Sequence, residues 1–344
     1  MTKPIAIDLF SGCGGLTLGL KQAGFKVLGA IEIDLLAVES FKANHKHVVV
    51  WQEDVRKVSA AEVGRKLKLG RDELDLLAGC PPCQGFSTLR TRNGAKKNRD
   101  RRNNLVREML RFVRVLRPKA VMMENVPGLA SRKSFRDFRK GLQKFGYKVN
   151  WDVKDAAHYG VPQRRKRLIL LAGLGFHIDF AVESDQLCTV RNAISRLAKA
   201  GHSGDTLHDM PEKRSEKVSR LIRDIPKNGG GRLDLPKERQ LSCHKAFDGF
   251  KDIYGRIAWQ DVAPTITSGC FNPSKGRFLH PEENRAITMR EAALLQSFPE
   301  KYRFARAAGK QAIASMIGNA LPPEFIRRHA LEIRKQLNVA KTTE

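Results

Sequence analysis

The sequence predicts an α/β fold, a doubly wound and mostly parallel sheet with a second, smaller, loop-rich domain. Three observations point there. Short apolar runs alternate with helical periodicities through the first half of the chain, a glycine-rich turn follows the first run, and the regular pattern dissolves between about 176 and 281. The expected division is therefore 1–175, 176–281 and 282–344.

Taken in order, Pro4 to Phe10 reads as a strand and Leu16 to Gln22 as a helix. Val27 to Ile33 and Leu35 to Ala43 repeat the pair, and Val48 to Trp51, Leu74 to Ala78, Ala120 to Val126 and Arg167 to Gly173 are further apolar runs. Between two of them, Leu105, Val106, Met109, Leu110, Val113 and Leu116 recur at helical spacing, with Arg107, Glu108, Arg111 and Arg114 on other faces. That pattern is an amphipathic crossover helix. From about Phe176 to Pro281 the chain is rich in Gly, Pro, Lys and Arg, and its periodicity is weak. Regularity returns at Thr288, which with Glu291 has the spacing of a capping box. Pro299 ends that helix, Ile317 to Pro323 reads as a turn, and a last helix runs to about Leu337.

With 344 residues and 41% hydrophobic content the chain can bury a full-sized core. No apolar stretch reaches the roughly 18 residues of a membrane span, and the N-terminus opens on a strand instead of a signal peptide. Six cysteines without framework spacing fit a reducing interior, so a cytoplasmic protein with free thiols is expected. Lys and Arg number 63 against 36 Asp and Glu, a net charge of +27. Such an excess is out of place in an enzyme of small metabolites and calls for a polyanionic partner.

Asp8-Leu9-Phe10-Ser11-Gly12-Cys13-Gly14-Gly15-Leu16 is a strand, a glycine turn and a helix start, where the backbone can approach a ligand closely. Glu32 ends the next strand, where a carboxylate can accept hydrogen bonds from ribose hydroxyls, and Asp54 follows the third. The dinucleotide fingerprint fails at its third glycine, which is Thr17 here, and Asp8 suits a positively charged ligand without pyrophosphate. S-adenosylmethionine is therefore the expected cofactor over a nicotinamide dinucleotide.

In Gly79-Cys80-Pro81-Pro82-Cys83-Gln84-Gly85-Phe86-Ser87, two prolines force the chain out of the sheet at a strand's carboxyl end and present one thiol, Cys83. A zinc site needs about four ligands, and Cys13, Cys188, Cys243 and Cys270 form no second C-x-x-C pair; no metal is expected. A redox dithiol is equally disfavoured, because the pair follows a later strand of a longer array.

Together these segments resemble the DNA cytosine-5 methyltransferases, in family order over nearly the whole chain: DLFSGCGG from Asp8, GCPPCQGFS from Gly79, ENV from Glu124, QRRKR from Gln163, REAALLQSFP from Arg290 and GNALPP from Gly318. The resemblance implies methyl transfer from S-adenosylmethionine to carbon 5 of an everted cytosine in double-stranded DNA. It implies Cys83 as nucleophile, Glu124 as the acid at ring nitrogen 3, and Arg165 and Arg167 as contacts to the base and catalytic loop. Gln163, Arg165 and Arg167, read as alternating along one strand, would share a face. Phe10, Gly12, Gly14, Glu32, Ile33, Asp54, Leu105 and Asn319 become cofactor contacts, and Gln84, Ser87 and Gln163 substrate contacts. Phe10 and Ile33 could equally be core residues. Cys13 and Cys80 receive no catalytic role.

On this reading 1–175 is the catalytic and cofactor-binding domain, 176–281 the target-recognition domain, and 282–344 a hinge with a C-terminal helix returning to the first. The basic run from Ser87 to Arg102 would order against phosphates when DNA binds. A bacterial or viral modification methylase is expected, monomeric and nucleoid-associated; a cognate restriction endonuclease, where one exists, would act on the same site without a stable complex. A transfer-RNA cytosine-5 methyltransferase and a non-catalytic DNA-binding relative remain the alternatives.

Overall fold

The structure is a computed structural model and describes residues 2–82, 105–241, 251–305 and 309–342. Cys83, Gln84, Ser87 and the basic run to Arg102 lie outside the described residues. The chain forms two compact units. The first joins Met1–Tyr159, Lys166–Glu183 and Leu321–Glu344; the second joins Gly160–Arg165 and Ser184–Ala320. Set beside the expected divisions at 175 and 281, residues 176–183 group with the first unit and 282–320 with the second.

The first unit holds strands β1 (Ile5–Leu9), β2 (Lys26–Glu32), β3 (Val49–Gln52), β4 (Leu76–Gly79), β5 (Ala120–Asn125), β6 (Tyr147–Asp155) and β7 (Lys166–Leu174). They form one seven-stranded sheet in the order β3-β2-β1-β4-β5-β7-β6. The first five strands are parallel, and β7 runs antiparallel between β5 and β6. The fold class is the expected doubly wound one. Chain direction across the sheet switches between β1 and β4, so the carboxyl ends of these two strands are where such a sheet binds ligands.

Helices α1 (Gly15–Gln22), α2 (Leu35–Asn44), α3 (Ala60–Lys66), α4 (Leu105–Leu116), α5 (Lys133–Lys144) and α10 (Pro323–Thr342) belong to the same unit. Met109, Phe112 and Val113 of α4 and Phe135, Phe138 and Leu142 of α5 pack with Ile7, Leu9, Leu77, Val121, Met123 and Leu170 of the sheet into one buried cluster. Helix α4 has the bounds its periodicity predicts. The last helix, α10, continues past the expected Leu337 and packs on α1, where a Cβ on Gly19 would lie 2.5 Å from the Pro323 carbonyl oxygen.

The second unit contains α6 (Val190–Ile194), α7 (Glu216–Asp224), α8 (Met289–Leu295) and α9 (Gly309–Asn319), linked by long irregular segments. Thr288 caps α8 as its spacing predicts: its hydroxyl accepts from the Glu291 amide at 3.1 Å, and Glu291 accepts from the Thr288 amide at 2.7 Å. Two expectations need correction. Ile317, Gly318 and Asn319 end helix α9 and are not part of a turn, because the prolines that stop it come later, at Pro322 and Pro323. Gln163 and Arg165 precede strand β7, which begins at Lys166, so the two do not alternate along a common strand with Arg167. Instead, the Arg164 amide donates to the Ala263 carbonyl at 2.8 Å and the Ala263 amide to that of Pro162 at 3.0 Å.

Candidate active site

The carboxyl ends of β1, β4 and β5 carry the chemistry-bearing side chains. Leu9 pairs with Gly79 and Gly79 with Met123, so β1 and β4 end at one level and β5 runs two residues farther, to Asn125. The ladder continues one step beyond β4, where the Cys80 amide donates to the Leu9 carbonyl at 3.3 Å. Pro81 follows with no amide hydrogen to offer, and its carbonyl accepts from the buried Asn125 side chain at 2.9 Å. The segment that leads to Cys83 is thereby tied to the end of β5.

Glu124, only 2% exposed, sits in that end of β5. In the antiparallel pair it faces Ile169, so Arg167, two residues before Ile169, occupies the diagonal position on the same face. Arg167 Nε lies 2.8 Å from Glu124 Oε1, and the Cys80 thiol donates to Oε2 at 2.9 Å. A buried carboxylate is tolerable only when paired and hydrogen-bonded, and both conditions are met here by two neighbouring strands.

At the end of β1, Phe10 and Gly12 adopt φ of 61° and 53°, and a Cβ on Gly12 would meet nothing within 4 Å. The turn is therefore open on that side. Its backbone is anchored by Glu32, whose carboxylate accepts from the amides of Gly12 at 2.8 Å and of Ile33 and Asp34 at 2.9 Å each. Gly14, at φ 99°, precedes α1, and its carbonyl lies 3.2 Å from the His45 ring Nε2. Ile33 is 63% exposed and so is no core residue, whereas Phe10 packs partly against the core. Asp54 is held by the Arg56 guanidinium, with Nε at 2.9 Å, and that hydrogen bond lowers its pKa to about 2. Leu105 is buried at the start of α4.

Asp8 lies fully buried behind this turn. The Thr17 hydroxyl donates to its Oδ2 at 2.6 Å, while Oδ1 and the Ser11 hydroxyl are buried without a hydrogen-bond partner among the described residues. Burial pushes the Asp8 carboxyl up to about 7, the Thr17 hydrogen bond works against that, and the nearby Glu32 charge adds to it. Burial likewise raises the Cys13 thiol to about 12, which leaves it inert as a nucleophile. An open glycine turn, an anchored carboxylate and an exposed isoleucine suit a nucleoside ligand. The carboxylates at this end of the sheet disfavour a pyrophosphate and favour a cation.

The remaining sequence-assigned residues belong to the second unit. Gln163 is fully buried: its amide nitrogen donates to the Leu295 carbonyl at 2.9 Å and its oxygen accepts from the Ile266 amide at 2.9 Å. The buried Arg165 guanidinium donates to the carbonyls of Ile266 at 3.0 Å, Gly318 at 2.8 Å and Ala320 at 3.1 Å. Asn319 is the last residue of α9. Sequence reasoning gave no role to Asn125, and it weighed Cys80 only as half of a metal or redox pair and assigned it no catalytic part. A polar residue ending an otherwise apolar run was a usable signal for the first; none pointed to the second.

Comparison with known proteins gives a consistent result. The family model for the C-5 cytosine-specific DNA methylases matches residues 5–335. The type II methylase M.HgiDII of Herpetosiphon aurantiacus is 35% identical, over 96% of this chain and 95% of its own length. The type II methyltransferase M1.HphI of Haemophilus parahaemolyticus is 33% identical, over 92% of this chain and 83% of its own. Among solved structures, a putative DNA modification methyltransferase encoded within an E. coli prophage aligns with a TM-score of 0.70 at 26% identity, covering 98% of this chain and 100% of that one.

Proposed function

Because the chain belongs to the C-5 cytosine-specific DNA methylases, enzymes that methylate carbon 5 of cytosine in DNA, we propose that Cys83 is its nucleophile, with Glu124 and Arg167 completing the reacting centre. S-adenosylmethionine is the methyl donor and supplies an electrophilic methyl on a sulfonium. Carbon 5 is too weakly nucleophilic to take that methyl unaided. Addition of the Cys83 thiolate to carbon 6 forms a sulfur–carbon bond and moves the ring π electrons toward carbon 5 and nitrogen 3. Glu124 hydrogen-bonds nitrogen 3 and the exocyclic amine and shares a proton there, stabilising the developing negative charge. After carbon 5 is methylated, a base removes its proton and the carbon–sulfur bond breaks, which restores the thiolate.

Arg167 fixes the carboxylate of Glu124. Glu32 is assigned to the ribose hydroxyls, Ile33 to a face of the adenine, and Gly12 and Gly14 to close approach of the backbone, with Phe10, Asp54, Leu105 and Asn319 as further cofactor contacts. Gln84, Ser87 and Gln163 would hold the substrate, and Arg165 would act close to the base. Carbon 5 is shielded in stacked duplex, so the base must be everted. Residues 176–281, most of which lie in the irregular second unit, are assigned to target recognition. The chain's relatives among type II modification enzymes support a place in a restriction-modification system. A monomer associated with the nucleoid is our further assignment.

The observation that carries this reading is the buried Glu124 carboxylate gripped by Arg167 beside the turn that leads to Cys83. Duplex DNA carrying 5-fluorocytosine at target sites tests it, because fluorine cannot leave as a cation and the adduct is trapped. We expect a covalent protein–DNA complex with the native chain in the presence of cofactor, and none with Cys83→Ala. A trapped complex that forms equally well with Cys83→Ala would remove the assignment.

A further inference from the structure

We infer that Cys80 is a positioning residue: its thiol donates to Glu124 Oε2 and, with Arg167 on Oε1, commits both oxygens of the carboxylate before the target base arrives. The inference rests on the reading of Glu124 as the acid that meets ring nitrogen 3.

Three features place the thiol there. Cys80 continues the β4 ladder through its amide bond to Leu9, so its Cα is set by the sheet and not by the segment after it. Glu124 follows Met123 within β5 and Cys80 follows Gly79, which pairs with Met123, so the two residues stand at neighbouring positions of adjacent chain segments. The distances, 2.9 Å to the thiol and 2.8 Å to Arg167, lie on different oxygens of one buried carboxylate. A carboxylate held at one oxygen only retains rotation about its last side-chain torsion, which is broad and weakly restrained. A second donor removes that freedom. A thiol is a weak donor, so it holds Oε2 in the free enzyme yet yields it readily to the stronger exocyclic amine of cytosine. Cys80 has no part in bond making and differs in this from Cys83.

The test uses the full-length enzyme. Removing a weak donor that positions an acid should lower single-turnover methylation by about fivefold to tenfold in Cys80→Ala. The affinity for S-adenosylmethionine, measured by calorimetry, should be unchanged. Cys80→Ser keeps a donor at the same place and should return to within about twofold of the native rate. Independently of activity, the infrared difference spectrum of the native protein minus Cys80→Ala isolates one sulfhydryl stretch. That band should move to higher frequency when Glu124→Gln replaces the carboxylate with a weaker acceptor.

A native rate in Cys80→Ala, or a Cys80→Ser enzyme as slow as Cys80→Ala with cofactor affinity intact, overturns the positioning role. A sulfhydryl band that ignores Glu124→Gln overturns the contact itself. Full activity of Glu124→Gln together with the expected band shift would instead remove the acid assignment, while leaving the thiol–carboxylate bond established.

Discussion

Arginine serves opposite ends in the two units. Every buried arginine among the described residues, namely Arg165, Arg232, Arg256 and Arg290, belongs to the second unit. In the first, seven strands satisfy their own backbone groups, and the buried acidic groups among the described residues, Asp8, Asp75 and Glu124, lie in or next to strands, with His45 and His329 as the buried histidines. The second unit has only isolated bridges among its described residues, so many carbonyls face inward without a ladder. Guanidinium forks with five donors fill that need. Arg256 reaches the carbonyls of Ile222 at 2.7 Å, Ile225 at 3.2 Å, His280 at 3.0 Å and Glu283 at 2.6 Å, all within one side chain's span. Where a sheet exists, buried charge is free for chemistry; where none exists, buried charge replaces the sheet.

The largest effect that could break this comparison is at Glu124. Glu124→Gln keeps the side chain's shape and an oxygen beside the Arg167 guanidinium, while proton sharing at the base is lost. Single-turnover methylation should fall by about 10²- to 10⁴-fold, the usual range for a general acid or base. A rate within tenfold of native, with an unfolding midpoint unchanged, would mean that this buried carboxylate is structural like its counterparts in the other unit.

Arg256 offers the reverse case. Arg256→Met preserves length and apolar bulk but strips the donors from four carbonyls and from the Asn284 side-chain oxygen, which it contacts at 2.8 Å. Leaving such groups buried and unpaired should cost about 3–5 kcal/mol. Hydrogen exchange should report the loss over residues 218–286, and calorimetry should find cofactor affinity retained. Native protection in that segment would show that the arginine forks are not what holds the irregular unit together.

The same contrast explains what was legible in the sequence. Strands β1 to β5 and helix α4 were readable because burial on both faces of a parallel sheet writes itself as apolar runs, and a crossover helix as a stripe. Helix α5 and strand β6 were passed over. Phe135, Phe138 and Leu142 do have helical spacing, but they are embedded among Arg and Lys residues, and edge strand β6 carries polar residues along much of its length. In the second unit the decisive contacts join Arg165 to Gly318 and Arg256 to Ile222, donors and backbone carbonyls far apart in sequence and without any period. At the site, Glu124 and Arg167 were readable from ENV and QRRKR. Arg165 carries the same side chain two residues away, yet nothing in the sequence foretold that it would bind three carbonyls. The Cys80–Glu124 contact was hidden because a thiol and a carboxylate 44 residues apart leave no pattern.

The smallest expected effect, at Asp8, sharpens the claim that the first unit carries buried charge at a cost. Desolvation raises this carboxyl from 3.8 to about 7, although Thr17 donates to it and lowers it, and the Glu32 charge raises it further. The folded protein therefore holds a proton that the unfolded chain has released across that interval. Stability from this group is present below about pH 4 and falls as pH rises toward 7, since the unfolded state binds fewer protons there. Asp8→Asn keeps an oxygen for the Thr17 hydroxyl but cannot ionise, so it should lack that slope. Urea unfolding at pH 5, 6, 7 and 8 should find the variant gaining on the native protein by about 2–4 kcal/mol in all, with most of the gain reached by about pH 7. Parallel curves would mean that Asp8 ionises in the fold as easily as in the open chain. The buried carboxylate behind the cofactor turn would then be as well compensated as the arginines of the second unit, and the distinction between the two would narrow to Glu124.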